Sequence, residues 1–319
     1  MLTSIVPAGI LDRRNNDMLK GRSVFIDDAD KLAYVLECER RFESAVDEAV
    51  AGVLARRDCR MITLSGPSCS GKTTTADKLV EDLTAAGRRV HVVSIDDYYF
   101  DRSQLLEVAR KNGDDVDFDS PSTIDIEELR KTVEDISDGG VVLVPRYDFK
   151  SGCRVGFREY VTDESDTFIF EGIQAIYPNV TALLHERDFA SIFISVANDL
   201  DIDGRLFSAN EIRFYRRLVR DYNFRNASPE FTFNIWESVR ENEETNILPN
   251  SLGCDVRLDS LLPYEISMIK PYLLPLIATI GADSKYYDTA RRIRDRLDGI
   301  EVISRELMPE HSVYREFLG

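Results

Sequence analysis

Apolar and polar positions follow one another along this chain in blocks whose period changes. Over residues 28–57, Leu32, Val35, Leu36, Phe42, Val46, Val50, Val53 and Leu54 recur at helical spacing, which predicts one long amphipathic helix. Its apolar stripe must be buried, by packing on the rest of the chain or in a subunit contact. Residues 60–65 read as a buried strand, 74–83 as a helix, and 89–95 as a second buried strand ending at Asp96-Asp97-Tyr98-Tyr99. Residues 125–137 form a short helix with Asp125 and Glu128 spaced as a cap pair. Residues 141–145 and 154–162 have the character of strands joined by a turn at Lys150-Ser151-Gly152, a hairpin. The apolar run 167–170 leads straight into Glu171-Gly172, 191–196 is another strand, and 255–258 a weaker one. Strands alternating with helices predict an α/β fold with a parallel sheet covered on both faces. Ligands of such sheets bind at the carboxyl ends of strands, so Asp96, Glu171 and residues 66–74 are expected to converge.

Residues 66–74 read Gly66-Pro67-Ser68-Cys69-Ser70-Gly71-Lys72-Thr73-Thr74, a complete G-x-x-x-x-G-K-T phosphate-binding loop between a strand and a helix. Its glycines let the backbone curl until successive N–H groups face one point, where the helix N-terminus adds partial positive charge. Lys72 is expected to reach the β- and γ-phosphates, and the Thr73 hydroxyl to ligate Mg²⁺. A Gly/Ser-rich turn can match such a pattern by chance, but not readily with strand, loop and helix in register. The chain is thus expected to bind a nucleoside triphosphate.

Composition narrows the partners. The 319 residues are 43% apolar and 30% charged, ordinary for a globular chain with a real core. A net charge of −17 argues against a nucleic-acid or anionic-membrane partner, so a phosphate site must be a local island of positive charge. Five cysteines (Cys38, Cys59, Cys69, Cys153, Cys254) contain no C-x-x-C pair, and their odd number suits no disulfide framework, which points to a reducing compartment. No apolar run approaches the ~18 residues of a membrane span, and the polar, irregular first 24 residues lack a signal-peptide core. A cytoplasmic enzyme is the resulting expectation.

Phosphoryl transfer needs a phosphate cradle, a metal, an oriented nucleophile and positive charge for the transition state. Glu171, ending an apolar strand, is placed to hold Mg²⁺ through water, although strand ends also carry ordinary carboxylates. Asp96 is positioned to accept the proton of an attacking hydroxyl, with Asp97 a competitor for that role. The three histidines (His91, His185, His311) fall away from the strand ends that matter, which favours a carboxylate base. Arg213, Arg217 and Arg220 share one face of a helix over 213–221, with Arg216 beside them and Arg225 following. That concentration has the character of a lid clamping phosphates, the alternative being a solvated basic face neutralised by nearby carboxylates. Tyr98, Tyr99, Phe118, Asp119, Tyr147, Asp148 and Arg154 cluster where an acceptor is expected.

Taken together, these segments resemble the uridine kinase and phosphoribulokinase family. The matching pieces are the loop, Ser94-Ile95-Asp96-Asp97-Tyr98-Tyr99, Phe118-Asp119-Ser120-Pro121, Pro145-Arg146-Tyr147-Asp148-Phe149 with Arg154, Glu171-Gly172-Ile173 and Arg216-Arg217-Leu218-Val219-Arg220-Asp221, spanning about residues 60–260. The tail, from Tyr264-Glu265 to Tyr314-Arg315-Glu316-Phe317-Leu318-Gly319, is similar to a longer bacterial subgroup of uridine or nucleoside kinases. The resemblance implies a phosphate-loop NTPase fold with a small β-hairpin lid and helical extensions at both ends. Its divisions are residues 1–58 (leader and amphipathic helix), 59–275 (kinase domain, hairpin at about 141–162) and 276–319 (C-terminal helical extension). It implies catalytic roles for Asp96, Lys72 and Arg220. ATP is assigned to Gly66, Pro67, Ser68, Cys69, Ser70, Gly71, Lys72, Thr73 and Thr74 with Arg217 and Arg220, and Mg²⁺ to Thr73, Glu171 and Asp96. The acceptor is assigned to Tyr99, Phe118, Asp119, Tyr147, Arg154 and Arg225.

Two positions depart from the family. Gly152 stands where uridine–cytidine kinases place a pyrimidine-contacting histidine, and Asn226-Ala227 follows Arg225 where relatives tend to have Gly-Arg. The expected reaction is phosphoryl transfer from ATP·Mg²⁺ to the primary hydroxyl of a nucleoside, with uridine as the first candidate. Alternatives are a same-family kinase for a sugar phosphate such as ribulose phosphate, or for a pantothenate-like acceptor, and, from another class, a nucleotide-dependent switch or regulatory ATPase. The chain has no N-K-x-D guanine-reading motif. Relatives form homo-oligomers, dimers or tetramers, and the same is expected here.

Overall fold

The computed structural model of the chain describes residues 18–56, 58–112, 120–163, 165–184 and 188–319. Most of the expected leader, together with Phe118, Asp119 and His185, lies outside the described residues. A short strand β1 (Leu19–Lys20) is followed by the long helix α1 (Asp28–Ala55), β2 (Met61–Ser65), α2 (Lys72–Ala85) and β3 (Val90–Ser94). Next come α3 (Arg102–Asn112), α4 (Ile126–Asp138), the hairpin β4 (Gly140–Asp148) and β5 (Cys153–Thr162), then β6 (Thr167–Glu171), α5 (Pro178–Leu184) and β7 (Phe189–Ser195). The remainder is β8 (Leu200–Ile202), β9 (Arg205–Phe207), α6 (Ala209–Arg225), α7 (Pro229–Asn242), β10 (Val256–Asp259), α8 (Glu265–Ile277), α9 (Tyr287–Leu297) and α10 (Arg315–Leu318).

The central sheet has the order β10-β7-β2-β6-β3, and every neighbouring pair is parallel. Its middle strands are apolar on both faces, as a sheet covered by helices requires. Register decides where the chemistry falls. Leu64 of β2 pairs with Glu171 of β6, and Glu171 pairs with Ser94 of β3. The loop after Ser65, the Glu171 carboxylate and the turn carrying Asp96 therefore start from one row of the sheet.

Most of the α1 stripe is covered within the chain, Val35, Val46 and Val53 being buried in the same apolar cluster as Leu79 of α2 and Leu258 of β10, whereas Leu32 and Leu36 stay exposed. Asp27 caps this helix by accepting from the Asp30 N–H, and Asp125 caps α4 by accepting from the Glu128 N–H. The arginine helix differs from the expected lid. Residues Ile212 to Asp221 of α6 are all buried, because the helix packs against α7, α8 and α10. Sequence reading also missed α8, which carries Pro271 and Pro275 inside it. Proline removes a helical N–H and orphans the carbonyl four residues back. Here the Ser267 carbonyl accepts instead from the Ile303 N–H at 3.2 Å, so tertiary structure repairs the break.

Candidate active site

At the carboxyl ends of β2, β3 and β6 lies a cavity of about 590 Å³ whose wall includes Ser68, Cys69, Lys72, Thr73, Asp96, Tyr99, Glu171, Arg217, Arg220 and Arg225. The loop is shaped for phosphate. Cys69 and Gly71 both take positive φ, at 60° and 91°. A Cβ on Gly66 would stand 2.0 Å from the Ile194 carbonyl oxygen, so the first glycine is demanded by close approach to β7. Ser70 Oγ is buried without a hydrogen-bond partner. Lys72 folds back over its own loop, donating to the carbonyls of Gly66 (2.9 Å) and Pro67 (3.0 Å). It remains partly accessible from the cavity, yet packing around it pushes the ammonium pKa below its ordinary value against the pull of Glu316, Glu171 and Asp96.

Burial pushes the Glu171 carboxyl above the ordinary range, opposed by Lys72 and by a hydrogen bond from Ser94 Oγ at 3.3 Å. Thr73 lines the cavity, and with Asp96 and Glu171 it makes up an oxygen-only donor set, the kind Mg²⁺ takes. Among the described residues no group of three His, Cys, Asp or Glu is close enough to hold a metal alone. That suits an ion shared with phosphate oxygens and water, for which one or two protein carboxylates suffice. The loop's orphaned Ser70 hydroxyl and this donor set fit a magnesium triphosphate.

The neighbouring aspartates separate. Asp97 accepts from the Tyr147 N–H at 2.9 Å and pairs with Arg158, so it docks the hairpin onto β3. Asp96 lines the cavity. The arginines separate as well. Arg213 grips Glu243 through two contacts of 2.6 Å, and Arg216 grips Glu265 at 2.7 and 2.8 Å, all four side chains being buried. Those two guanidiniums are structural, contrary to the expectation of a four-arginine clamp. Arg217 donates to Ser68 Oγ at 2.9 Å, and it shares Asp221 with Arg220 and the more exposed Arg225. Three guanidiniums thus meet at one carboxylate beside the cavity, whose wall also carries Asp96, Glu171, Glu243 and Glu316.

On the acceptor side, Tyr99, Tyr147 and Phe149 form a ring cluster with centroids 5.1–6.2 Å apart. Tyr99 and Phe149 reach the cavity, whereas Tyr147 lines a second cleft with Asp97, Arg146 and Arg158. Arg154 donates to Asp125 (3.0 Å) and the Tyr98 carbonyl (3.2 Å) and is not on the cavity wall. Gly152 sits at φ 71°, and an added Cβ would stand 2.9 Å from the Arg102 side chain, so a histidine in this turn would be strained and would have to displace Arg102. Sequence reading missed Gln174, which donates to the Tyr99 hydroxyl at 2.5 Å, and Glu243, which accepts from the Ser68 N–H at 3.3 Å. Neither carries a local motif.

Fold and site define a phosphate-loop phosphotransferase. The profile of the Phosphoribulokinase / Uridine kinase family matches residues 61–266, and the chain belongs to that family. It is 31% identical over 179 residues to a uridine kinase of Ureaplasma parvum, covering 56% of this chain and 77% of that one. A uridine kinase of Deinococcus deserti is 30% identical over 197 residues, or 61% of this chain and 85% of its own. The solved structure of the YGR205w protein aligns over 70% of this chain and 90% of its own at a TM-score of 0.50 and 15% identity, a likeness of fold alone. The chain is therefore a kinase that transfers phosphate to an alcohol group, in a family that uses ATP. No helix among the described residues is long and apolar enough to cross a membrane.

Proposed function

We propose that this kinase transfers the γ-phosphoryl group of ATP to the primary hydroxyl of a nucleoside, with uridine the first candidate. The observation that carries the reading is the meeting of Lys72, Thr73, Asp96, Glu171, Arg217 and Arg220 in one cavity beside the Tyr99 ring. In this reading the loop amides and Lys72 hold the β- and γ-phosphates. Thr73, Glu171 and Asp96 hold Mg²⁺, which when bound neutralises charge on the transferring group. Asp96 accepts the hydroxyl proton as the acceptor oxygen bonds to the γ-phosphorus and the bond to the ADP oxygen breaks. Arg217 and Arg220 stabilise the equatorial oxygens. Tyr99 and Arg225, which line the cavity, serve the acceptor together with Phe118 and Asp119, while Tyr147 and Arg154 support that side from the hairpin without facing the cavity, and a homodimer or homotetramer in the cytoplasm accompanies the reading.

A second acceptor class is favoured by one observation, the left-handed Gly152 turn filled by Arg102, which removes the pyrimidine-contacting histidine and sets a cation nearby. That arrangement suits a phosphorylated sugar. Asp96→Asn tests the core of both readings. ADP formation is expected to fall to background, while calorimetry shows ATP binding within about threefold of wild type. Turnover retained by the variant would remove Asp96 as the base.

A further inference from the structure

The last residues of the chain are built into the donor site. A Cβ on Gly71 of the phosphate loop would stand 2.4 Å from Val313 Cγ2, so the tail packs directly on the loop. Arg216 anchors the residues beyond Val313. Its guanidinium lies 4.9 Å from the Phe317 ring centroid and 5.6 Å from that of Tyr314, while it donates to the Cys69 carbonyl at 3.3 Å. Tyr314 and Phe317 are fully buried. Between these anchors, Glu316 turns into the cavity beside Lys72, Thr73, Glu171 and Arg220. Its Oε2 is buried without a hydrogen-bond partner. Among the carboxylates around Lys72, Glu316 exerts the strongest pull, ahead of Glu171 and Asp96.

A buried acceptor oxygen with no donor costs free energy unless something supplies one. Lys72 does not, since its ammonium is turned to the Gly66 and Pro67 carbonyls. A bare triphosphate entering here would meet Glu316 as a like charge. A triphosphate carrying a hydrated divalent cation would bring O–H donors and two positive charges.

We propose that Glu316 is a positioning residue of the donor site, its carboxylate accepting from water on the nucleotide's divalent cation, so that the C-terminus makes the site select metal-complexed over free triphosphate. The inference rests on the kinase reading of the same cavity.

The test is titration of a non-hydrolysable ATP analogue into wild type, Glu316→Gln and Glu316→Asp, with Mg²⁺ and with chelator. Mn²⁺ binding followed by electron paramagnetic resonance supplies a second readout. For Glu316→Gln, affinity for the magnesium complex should drop on the order of tenfold while affinity for free analogue rises severalfold. Mn²⁺ binding in the presence of nucleotide should weaken in parallel, and Glu316→Asp should restore most of the discrimination. A loss of equal size in both arms would mean a purely structural role and overturn the proposal, as would a gain of equal size in both. Wild-type protein that binds no analogue in either arm would instead overturn the donor-site reading beneath it.

Discussion

Two pairs of arginines on α6 make the informative comparison. Arg213 and Arg216 each hold a buried carboxylate, Glu243 and Glu265, through two contacts no longer than 2.8 Å. Arg240 also reaches Glu243 but brings Glu244 with it, so charge there stays balanced. Arg217 and Arg220 share Asp221 and border the cavity. All four are buried, all four are basic, and they follow one another within two turns of the same helix. What separates them is stoichiometry. A guanidinium matched by a buried carboxylate of its own is neutralised and becomes part of the core. Guanidiniums that share one carboxylate keep N–H donors for whatever enters the cavity.

The sharpest way to break this contrast is Arg216→Ala, which leaves the Glu265 carboxylate buried with the Leu262 N–H at 3.1 Å but without its guanidinium. About 3–5 kcal/mol of stability should be lost, read as the urea midpoint, and the stack beneath Tyr314 and Phe317 goes with it. Arg220→Ala should do the reverse. Its stability should change by about 1 kcal/mol or less, because Asp221 keeps Arg217, while kcat falls roughly 10²–10³-fold. Equal stability losses for the two variants would erase the distinction. A third arginine contact, at the amino end of β6, calibrates the scale. Burial opposes ionisation of Asp166, but hydrogen bonds from Arg89 and His91 prevail and hold its carboxyl below the usual range. A carboxylate depressed in the folded state contributes stability above its unfolded pKa and loses it as pH falls through the folded value. Asp166→Asn should therefore be less stable than wild type at neutral pH, and the gap should close below about pH 4. A gap independent of pH would mean packing, not charge, holds Asp166.

The same comparison explains what the sequence could and could not reveal. Residues 66–74, Asp96 and Glu171 are legible because each sits where an apolar run stops, and parallel register then carries all three to one row of the sheet. The helical period places Arg213, Arg217 and Arg220 on one face, but a period says nothing about which carboxylate waits opposite. Glu243 meets Ser68 across 175 residues, and Glu265 meets Arg216 across 49, so no local pattern announces either. Glu316 is hidden for the same reason: its place depends on how Val313, Tyr314 and Phe317 dock. The hairpin is visible from two strand-like runs and the Lys150-Ser151-Gly152 turn between them, yet these do not show that Tyr147 and Arg154 turn away from the cavity. The α8 helix is masked by its two prolines, and the carbonyl that Pro271 orphans is satisfied by the distant Ile303 N–H.

The central claim is that a nucleoside hydroxyl receives the phosphoryl group. It is tested most directly by following ADP formation by the purified chain with ATP and Mg²⁺, alone and with uridine, cytidine, adenosine or ribulose 5-phosphate, while the phosphorylated product is identified by mass. The expected result is negligible ADP without acceptor and one nucleoside monophosphate formed per ADP with uridine. ADP released at the same rate with or without acceptor would contradict the claim and make the chain a nucleotide hydrolase or switch, and product formed only from the sugar phosphate would overturn the nucleoside assignment.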